Sequence, residues 1–136
     1  MSESEVYETQ SEAETRGVRV TVRARYSEQH SHPSDSRWFF LYTIRIVNEG
    51  EIPVQLLHRH WTIVDGTGHA EEVHGPGVVG EQPLIEPGQG FEYTSGCPLS
   101  TPFGSMAGSF EMQRADGTRF EAEVGLFQLI QPGSIH

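Results

Sequence analysis

Large apolar residues alternate with polar residues along much of this chain, which is the spacing of a β-strand with one buried face. Between residues 18 and 23, three valines alternate with arginine and threonine. Between residues 38 and 47, four aromatic or branched side chains fall on one side of an extended backbone. The same period returns between residues 120 and 126. The pattern therefore predicts strands in these segments, each with one face in a core.

Turn signals separate the alternating runs at short intervals. Glycine with Asn, Asp or Glu occurs at 48–51, 65–68 and 116–117, and Pro-Gly occurs at 87–88. No segment has the three-and-four spacing of an amphipathic helix. About seven short strands with frequent turns predict an all-β chain folded as an antiparallel β-sandwich, immunoglobulin-like or fibronectin type III-like. A single cysteine cannot supply the disulfide of antibody domains, which favours the fibronectin-like type.

The first fifteen residues differ in composition from the rest. They contain five glutamates and no basic residue, and only Val6 and Tyr7 are large and apolar. Such a segment has little apolar surface to bury, so residues 1–15 are predicted to be a disordered acidic tail. Residues 16–136 are predicted to form one domain.

Charge and composition restrict the classes of partner and the cellular compartment that are expected. The net charge of −10 disfavours nucleic acid as a partner, because both carry negative charge. No apolar run approaches the roughly 20 residues that span a bilayer, so no membrane contact is expected. The lone Cys97 and the absence of a signal-peptide pattern indicate a cytoplasmic protein. All nine basic residues are arginine, which excludes a P-loop or a lysine Schiff base.

A glycine motif is the main candidate binding site. Gly75, Gly77 and Gly80 have the G-x-G-x-x-G spacing of dinucleotide-binding loops. That fold needs a helix after the last glycine, which Pro83 and Pro87 prevent. The loop is therefore predicted to be mainly structural, with a positive φ at Gly75 or Gly77. Its use as a partner loop or as a site for a small anion, pyrophosphate included, stays open for Gly75, Pro76, Gly77, Val78, Val79 and Gly80.

Seven histidines raise the question of a metal. His58 and His60 share a strand face, and His30 and His32 do so if their loop is extended. Further ligands would have to come from His69, His74, Glu71 or Glu72. No segment has the spacing of a known metal motif, so no metal site and no cofactor are predicted.

Catalytic groups are equally hard to find. No G-x-S-x-G elbow is present, and Cys97 lies between Gly96 and Pro98 with no helix start to lower its pKa. A packed, unreactive thiol is expected, and the chain is predicted not to be an enzyme.

Three aromatic residues that the alternating pattern does not assign to a face are predicted to lie in the core. They are Trp38, Trp61 and Phe103, and Phe103 is expected to fill one end of the sandwich.

Several short segments of the chain form a combined signature. They are LL at 56–57, RHW at 59–61, VDG at 64–66, EEV at 71–73, GPGVVGEQP at 75–83, PG at 87–88, FEYTSGCPL at 91–99 and TPFGSM at 101–106. Together these segments resemble the ApaG family, over roughly residues 17–127. His58 stands where that family usually has a small residue, and residues 30–35 are longer and more polar than expected.

The resemblance implies a fibronectin type III-like sandwich and an interaction module. Bacterial members carry a label of association with cobalt and magnesium efflux, and eukaryotic ApaG-like domains occur in an F-box protein and in a polymerase-interacting protein. A chain without a membrane span cannot itself move ions, so any efflux role would be indirect. The leading hypothesis is a non-enzymatic module with an unidentified protein partner. The alternatives are nucleotide or pyrophosphate binding at 75–80 and a metal-linked function of the histidines.

Overall fold

The computed structural model describes residues 7–133, which contain nine β-strands, one 3-10 turn at Pro33–Asp35 and no α-helix. The all-β prediction is confirmed, with two more strands than the seven expected. No helix in this part of the chain has the length and apolar character needed to cross a membrane. The strands are β1 (Glu8–Thr15), β2 (Val18–Tyr26), β3 (Trp38–Asn48), β4 (Val54–Asp65), β5 (Ala70–Pro76), β6 (Leu84–Ile85), β7 (Gly90–Leu99), β8 (Phe103–Arg114) and β9 (Arg119–Ile130).

The strands form two antiparallel sheets that pack face to face as a β-sandwich. One sheet has the order β1-β2-β3-β7, and the other has the order β5-β4-β8-β9, with the short β6 also paired to β4. Both β5 and β6 pair with β4, so residues 70–76 and 84–85 run antiparallel to it along one edge of the second sheet. This edge carries the predicted glycine motif.

The inner faces of the sheets form the core, as the alternation predicts. Phe40, Ile44 and Ile46 of β3 have no exposed surface, and Phe110 and Met112 of β8 face them from the other sheet. Every second residue of these strands is therefore held between the sheets, and the intervening residues lie on the outer faces.

The two tryptophans differ in burial. Trp61 is 3% exposed, and its ring meets those of Phe110 and Phe127 edge-on at 6.0 Å, which confirms the prediction of a core residue. Trp38 packs against the core but is only partly buried. Its indole Nε1 donates a hydrogen bond to Gln131 Oε1 at 3.1 Å.

The predicted disordered tail is wrong for residues 8–15, which form β1. This strand pairs with β2 along its whole length, from Glu8 opposite Arg25 to Thr15 opposite Val18. Its glutamates face arginines, and the Glu12–Arg19 ion pair is 2.5 Å long. The strand is held by the backbone ladder and by opposite charges across strands, so its low apolar content did not reveal it. Residues 1–6 lie outside the described part.

The contacts of β1 also close one side of the sandwich. The hydroxyl groups of Thr9 and Ser11 donate hydrogen bonds to the backbone carbonyls of Gln128 and Gly125 on β9. The edge strands of the two sheets are therefore tied together on this side.

The prediction for Phe103 is also wrong. Phe103 begins β8 and is 37% exposed, with its ring lying against Gly66 on the neighbouring turn. The two prolines did not force a long crossing loop, because β7 continues through Pro98 to Leu99 and only three residues connect it to β8. Pro98 lies on an edge strand, where its missing N–H interrupts no ladder hydrogen bond.

Candidate functional site

The glycine motif lies at the end of β5 and in a tight hairpin that projects from the sheet edge. Val78 and Glu81 exchange two backbone hydrogen bonds, N–H to O at 2.8 and 2.9 Å. The two residues between them both have positive φ, 43° at Val79 and 81° at Gly80. A two-residue connection with positive φ at both positions is a type I′ turn. We call residues 77–82 the tip hairpin.

Each glycine of the motif has a conformational or steric reason. Gly77 has φ of 62°, which confirms the predicted positive φ at this position, and a Cβ there would overlap the Glu81 carbonyl. Gly80 occupies the second position of the turn, where φ is 81° and the surroundings are open. Gly75 has no positive φ but lies directly against the Arg59 guanidinium, which a Cβ would approach to 2.8 Å.

Arg59 holds the start of the tip hairpin from the neighbouring strand β4. Its Nη1 donates hydrogen bonds to the carbonyl oxygens of Pro76 and Gly77, each at 3.0 Å. The flat guanidinium needs the space that Gly75 leaves, and one side chain thereby fixes two consecutive carbonyls. Sequence reasoning missed this role, although Arg59 belongs to the RHW segment of the resemblance.

A bulge in β4 accommodates the hairpin between β5 and β6. The β4–β8 register shifts between Leu56 and His58, which leaves Leu57 as the bulged residue. The Leu57 carbonyl accepts hydrogen bonds from the Gly77 N–H and from Gln82 Nε2, both at 2.8 Å. The amides of Gly77, Val78 and Glu81 are thus all engaged within the protein, whereas a phosphate-binding loop directs such groups at its ligand.

The tip hairpin exposes apolar surface. Val79 is 54% exposed, and Leu84, just beyond the hairpin on β6, is 58% exposed. In contrast Val78 is 1% exposed and anchors the hairpin in the core. A β-branched residue with positive φ is energetically unfavourable, so the chain keeps Val79 in a strained conformation at an exposed tip.

The side of the sandwich away from β1 and β9 holds a cleft of about 330 Å³ between the sheets. Tyr42, Arg59 and Trp61 line it together with Cys97. The predicted packed thiol is confirmed, since Cys97 is 3% exposed. Burial raises the pKa of the Cys97 thiol to about 12, and burial also raises the pKa of Tyr42. Near neutral pH the thiol therefore stays protonated and is a poor nucleophile.

The outer face of the second sheet carries a cluster of histidine and carboxylate side chains. His60 on β4 lies directly opposite His74 on β5, and their rings stack with centroids 4.2 Å apart and planes 8° from parallel. His60 Nε2 donates to Glu72 Oε1, and the Thr62 hydroxyl donates to Glu72 Oε2 at 3.0 Å. These hydrogen bonds, that from His60 first, lower the pKa of the Glu72 carboxyl group.

The other histidines are arranged differently. His58 Nδ1 lies 2.6 Å from Glu111 Oε1 on β8, outside the cluster. His30 contacts the Ser27 hydroxyl at 2.7 Å through Nδ1, in a loop at another part of the fold. Sequence reasoning named His74 and Glu72 among the possible further ligands for His58 and His60, but it predicted no metal site. The signal that joins them is alternation on adjacent strands, His58-x-His60 on one and Glu72-x-His74 on the next, but only the register shows that they face each other.

Comparison with known proteins agrees with the fold and with the resemblance. The family model of the ApaG domain matches residues 28–114. A protein of Methylorubrum populi called Protein ApaG is 57% identical over 120 residues, covering 88% of this chain and 92% of the relative. Protein ApaG of Anaeromyxobacter dehalogenans is 52% identical over 126 residues, covering 93% of this chain and 99% of the relative.

A solved structure extends the agreement to three dimensions. The crystal structure of a putative ApaA protein from Bordetella pertussis is 46% identical and superposes with a TM-score of 0.83, covering 86% of this chain and 95% of that one. The family model of the ApaG domain, which matches residues 28–114, includes the tip hairpin together with β5 and β6. The chain belongs to the ApaG domain family.

Proposed function

We propose that this protein is a non-enzymatic interaction module that binds a protein partner through the tip hairpin. The observation that carries the proposal is Val79, a strained β-branched residue that is 54% exposed at the end of a projecting hairpin. The strain at Val79 lowers the stability of the domain, and the exposed side chain adds little core packing to offset it. Such strain clusters at functional positions. Leu84 extends the apolar surface along the same edge.

The hairpin is prepared for binding before any partner arrives. Arg59 fixes the carbonyls of Pro76 and Gly77, and Val78 is anchored in the core. A loop that is already ordered loses little conformational entropy on association, so a small contact surface yields more affinity.

The same geometry favours a partner loop over the pyrophosphate alternative. Three amides of the tip hairpin, those of Gly77, Val78 and Glu81, are engaged in internal hydrogen bonds, and the neighbouring Arg59 is already bonded to two carbonyls. An anion at this loop would have to displace the contacts that hold the loop in place.

Two groups that could suggest catalysis are poorly suited to it. The Ser27 hydroxyl lies 2.7 Å from His30 Nδ1, but Ser27 is only 6% exposed, which keeps a substrate away from its oxygen. The thiol of Cys97 is protonated near neutral pH because burial raises its pKa to about 12. These features support the proposal that the module has no enzymatic activity of its own.

We further propose that the protein is cytoplasmic and that any link to the efflux label of the bacterial family is indirect. The buried free thiol of Cys97 is compatible with a reducing compartment. Any effect on cobalt or magnesium transport would then pass through the partner that the tip hairpin contacts.

Site-specific photocrosslinking in the host cell tests the proposal. A photoreactive residue replaces Val79 in one variant and Leu126 in the other, because Leu126 is similarly exposed at 57% but lies on β9. We expect a discrete protein adduct from position 79 and none from position 126. Equal adduct patterns at both positions would refute a partner at the hairpin. Saturable calorimetric binding of inorganic pyrophosphate by the purified protein would support the alternative function instead.

A further inference from the structure

The histidine cluster on the outer face of the second sheet has the composition and spacing of a metal site. The donor atoms of His60, Glu72 and His74 all lie within 4.8 Å of one another. We propose that these three side chains bind one divalent transition-metal ion of the zinc type. The site would be open to solvent, because His60 is half-buried and the other two ligands are exposed.

The donor set determines which ions fit. Two imidazole nitrogens and one carboxylate oxygen suit Zn²⁺, Co²⁺, Ni²⁺ and Cu²⁺, and the same combination occurs in zinc enzymes that leave a coordination position for water. Mg²⁺ prefers oxygen ligands in a regular octahedron and is poorly served by two imidazoles. The site should therefore discriminate against Mg²⁺.

Strand register places the three ligands on one face without any long loop. His60 and His74 are directly paired across β4 and β5, and Glu72 precedes His74 by two residues, which returns it to the same face. Thr62, paired with Glu72 across the same strands, donates a hydrogen bond to Glu72 Oε2. This contact orients the carboxylate so that Oε1 faces His60 Nε2, as outer partners orient the ligands of established metal sites.

Binding requires two small changes. The metal takes the place of the proton in the hydrogen bond between His60 Nε2 and Glu72 Oε1, and a neutral His60 ring then carries its proton on Nδ1. Nearly parallel stacked rings do not both direct a nitrogen at one point, so the exposed His74 ring turns about its side-chain bonds. Loss of the stacking is therefore a structural signature of binding.

The surrounding charge favours a cation. The chain carries a net charge of −10, and Glu111 and Glu121 lie on the same face, lining a shallow pocket of about 450 Å³ with His60 and His74. A negative surface raises the local concentration of cations and the rate of their association.

Calorimetry with Zn²⁺ on the full chain, freed of any histidine tag, tests the site. We expect one ion per chain, with binding absent in His74→Asn and in Glu72→Gln at the same concentrations. Thr62→Val should weaken binding by roughly tenfold or more, because it removes only the orienting contact.

His58→Asn is the matched control, because it removes a histidine paired with a glutamate on the same face but outside the cluster. It should bind Zn²⁺ like the original chain. An equal loss in His58→Asn and His74→Asn would overturn the assignment, as would equal affinity for Mg²⁺. Co²⁺ provides a second readout, since bound Co²⁺ should give a visible absorption that His74→Asn lacks, while imidazole NMR signals of His60 and His74 shift together. Because the purified chain is used alone, these results are independent of the crosslinking at Val79.

Discussion

Replacing the glycines of the tip hairpin one at a time separates backbone strain from steric overlap. Gly77 and Gly80 both have positive φ, 62° and 81°, so alanine at either position incurs the left-handed penalty of roughly 1–2 kcal/mol. At Gly80 a Cβ meets nothing within 4 Å, and that penalty is the whole effect. At Gly77 the Cβ also overlaps the Glu81 carbonyl, which accepts the Val78 hydrogen bond that closes the hairpin.

Gly77→Ala should therefore lower the free energy of unfolding by about 1–3 kcal/mol more than Gly80→Ala does, since the N–H of the buried Val78 loses its acceptor in addition to the strain. Urea unfolding of both variants and the original chain measures the difference, and the slope of the transition should not change. The corresponding difference in Tm is a few degrees per kcal/mol. Equal losses in the two variants, or no loss in Gly77→Ala, would refute the assignment of Gly77 to a steric role.

Four further outcomes are expected. Val79→Gly should raise the melting temperature or leave it unchanged, because relief of positive-φ strain offsets the greater entropy of the unfolded chain. Cys97 should resist thiol reagents at pH 8 until denaturant is added, because burial raises its pKa to about 12 and keeps it protonated. Deleting residues 1–15 should lower the melting temperature by several degrees through loss of β1. Hydrogen bonds from Thr67 lower the pKa of the Asp65 carboxyl group. The ionised carboxylate therefore stabilises the folded protein above the ordinary Asp pKa, and this stabilisation is lost as the pH falls through the lowered pKa. Asp65→Asn should accordingly make the stability less sensitive to acid.

Each of these four predictions would be contradicted by a specific experimental result. A lower melting temperature in Val79→Gly would mean that the valine is needed for folding rather than for contact. Rapid labelling of Cys97 in the native protein, compared with a fully unfolded sample, would show that the cleft admits reagents. An unchanged melting temperature without residues 1–15 would restore the view of a dispensable tail. Identical acid titrations of stability for Asp65→Asn and the original chain would remove the role of that carboxylate.

The sequence by itself determined the fold class and the inward faces of the long strands. Alternation between residues 38 and 47 identified Phe40, Ile44 and Ile46 as core residues, because side-chain direction in a strand depends only on local backbone geometry. It also indicated that the glycine motif is structural, since prolines after the motif leave no room for a helix. A tight loop predicted positive φ at Gly75 or Gly77, and the structure shows it at Gly77.

Only the tertiary structure decided which segments face each other. β1 forms because its backbone pairs with β2 and its glutamates meet arginines of that strand. The His60–Glu72–His74 cluster exists because the register between β4 and β5 places these side chains together on one face. The type I′ turn at Val79 was equally hidden, because valine is intrinsically unfavourable at positive φ. It is held there by the Val78–Glu81 hydrogen bonds and by the contact of Arg59, from another strand, with the Gly77 carbonyl. Strand pairing and register join residues distant in sequence, and local periodicity carries no information about them.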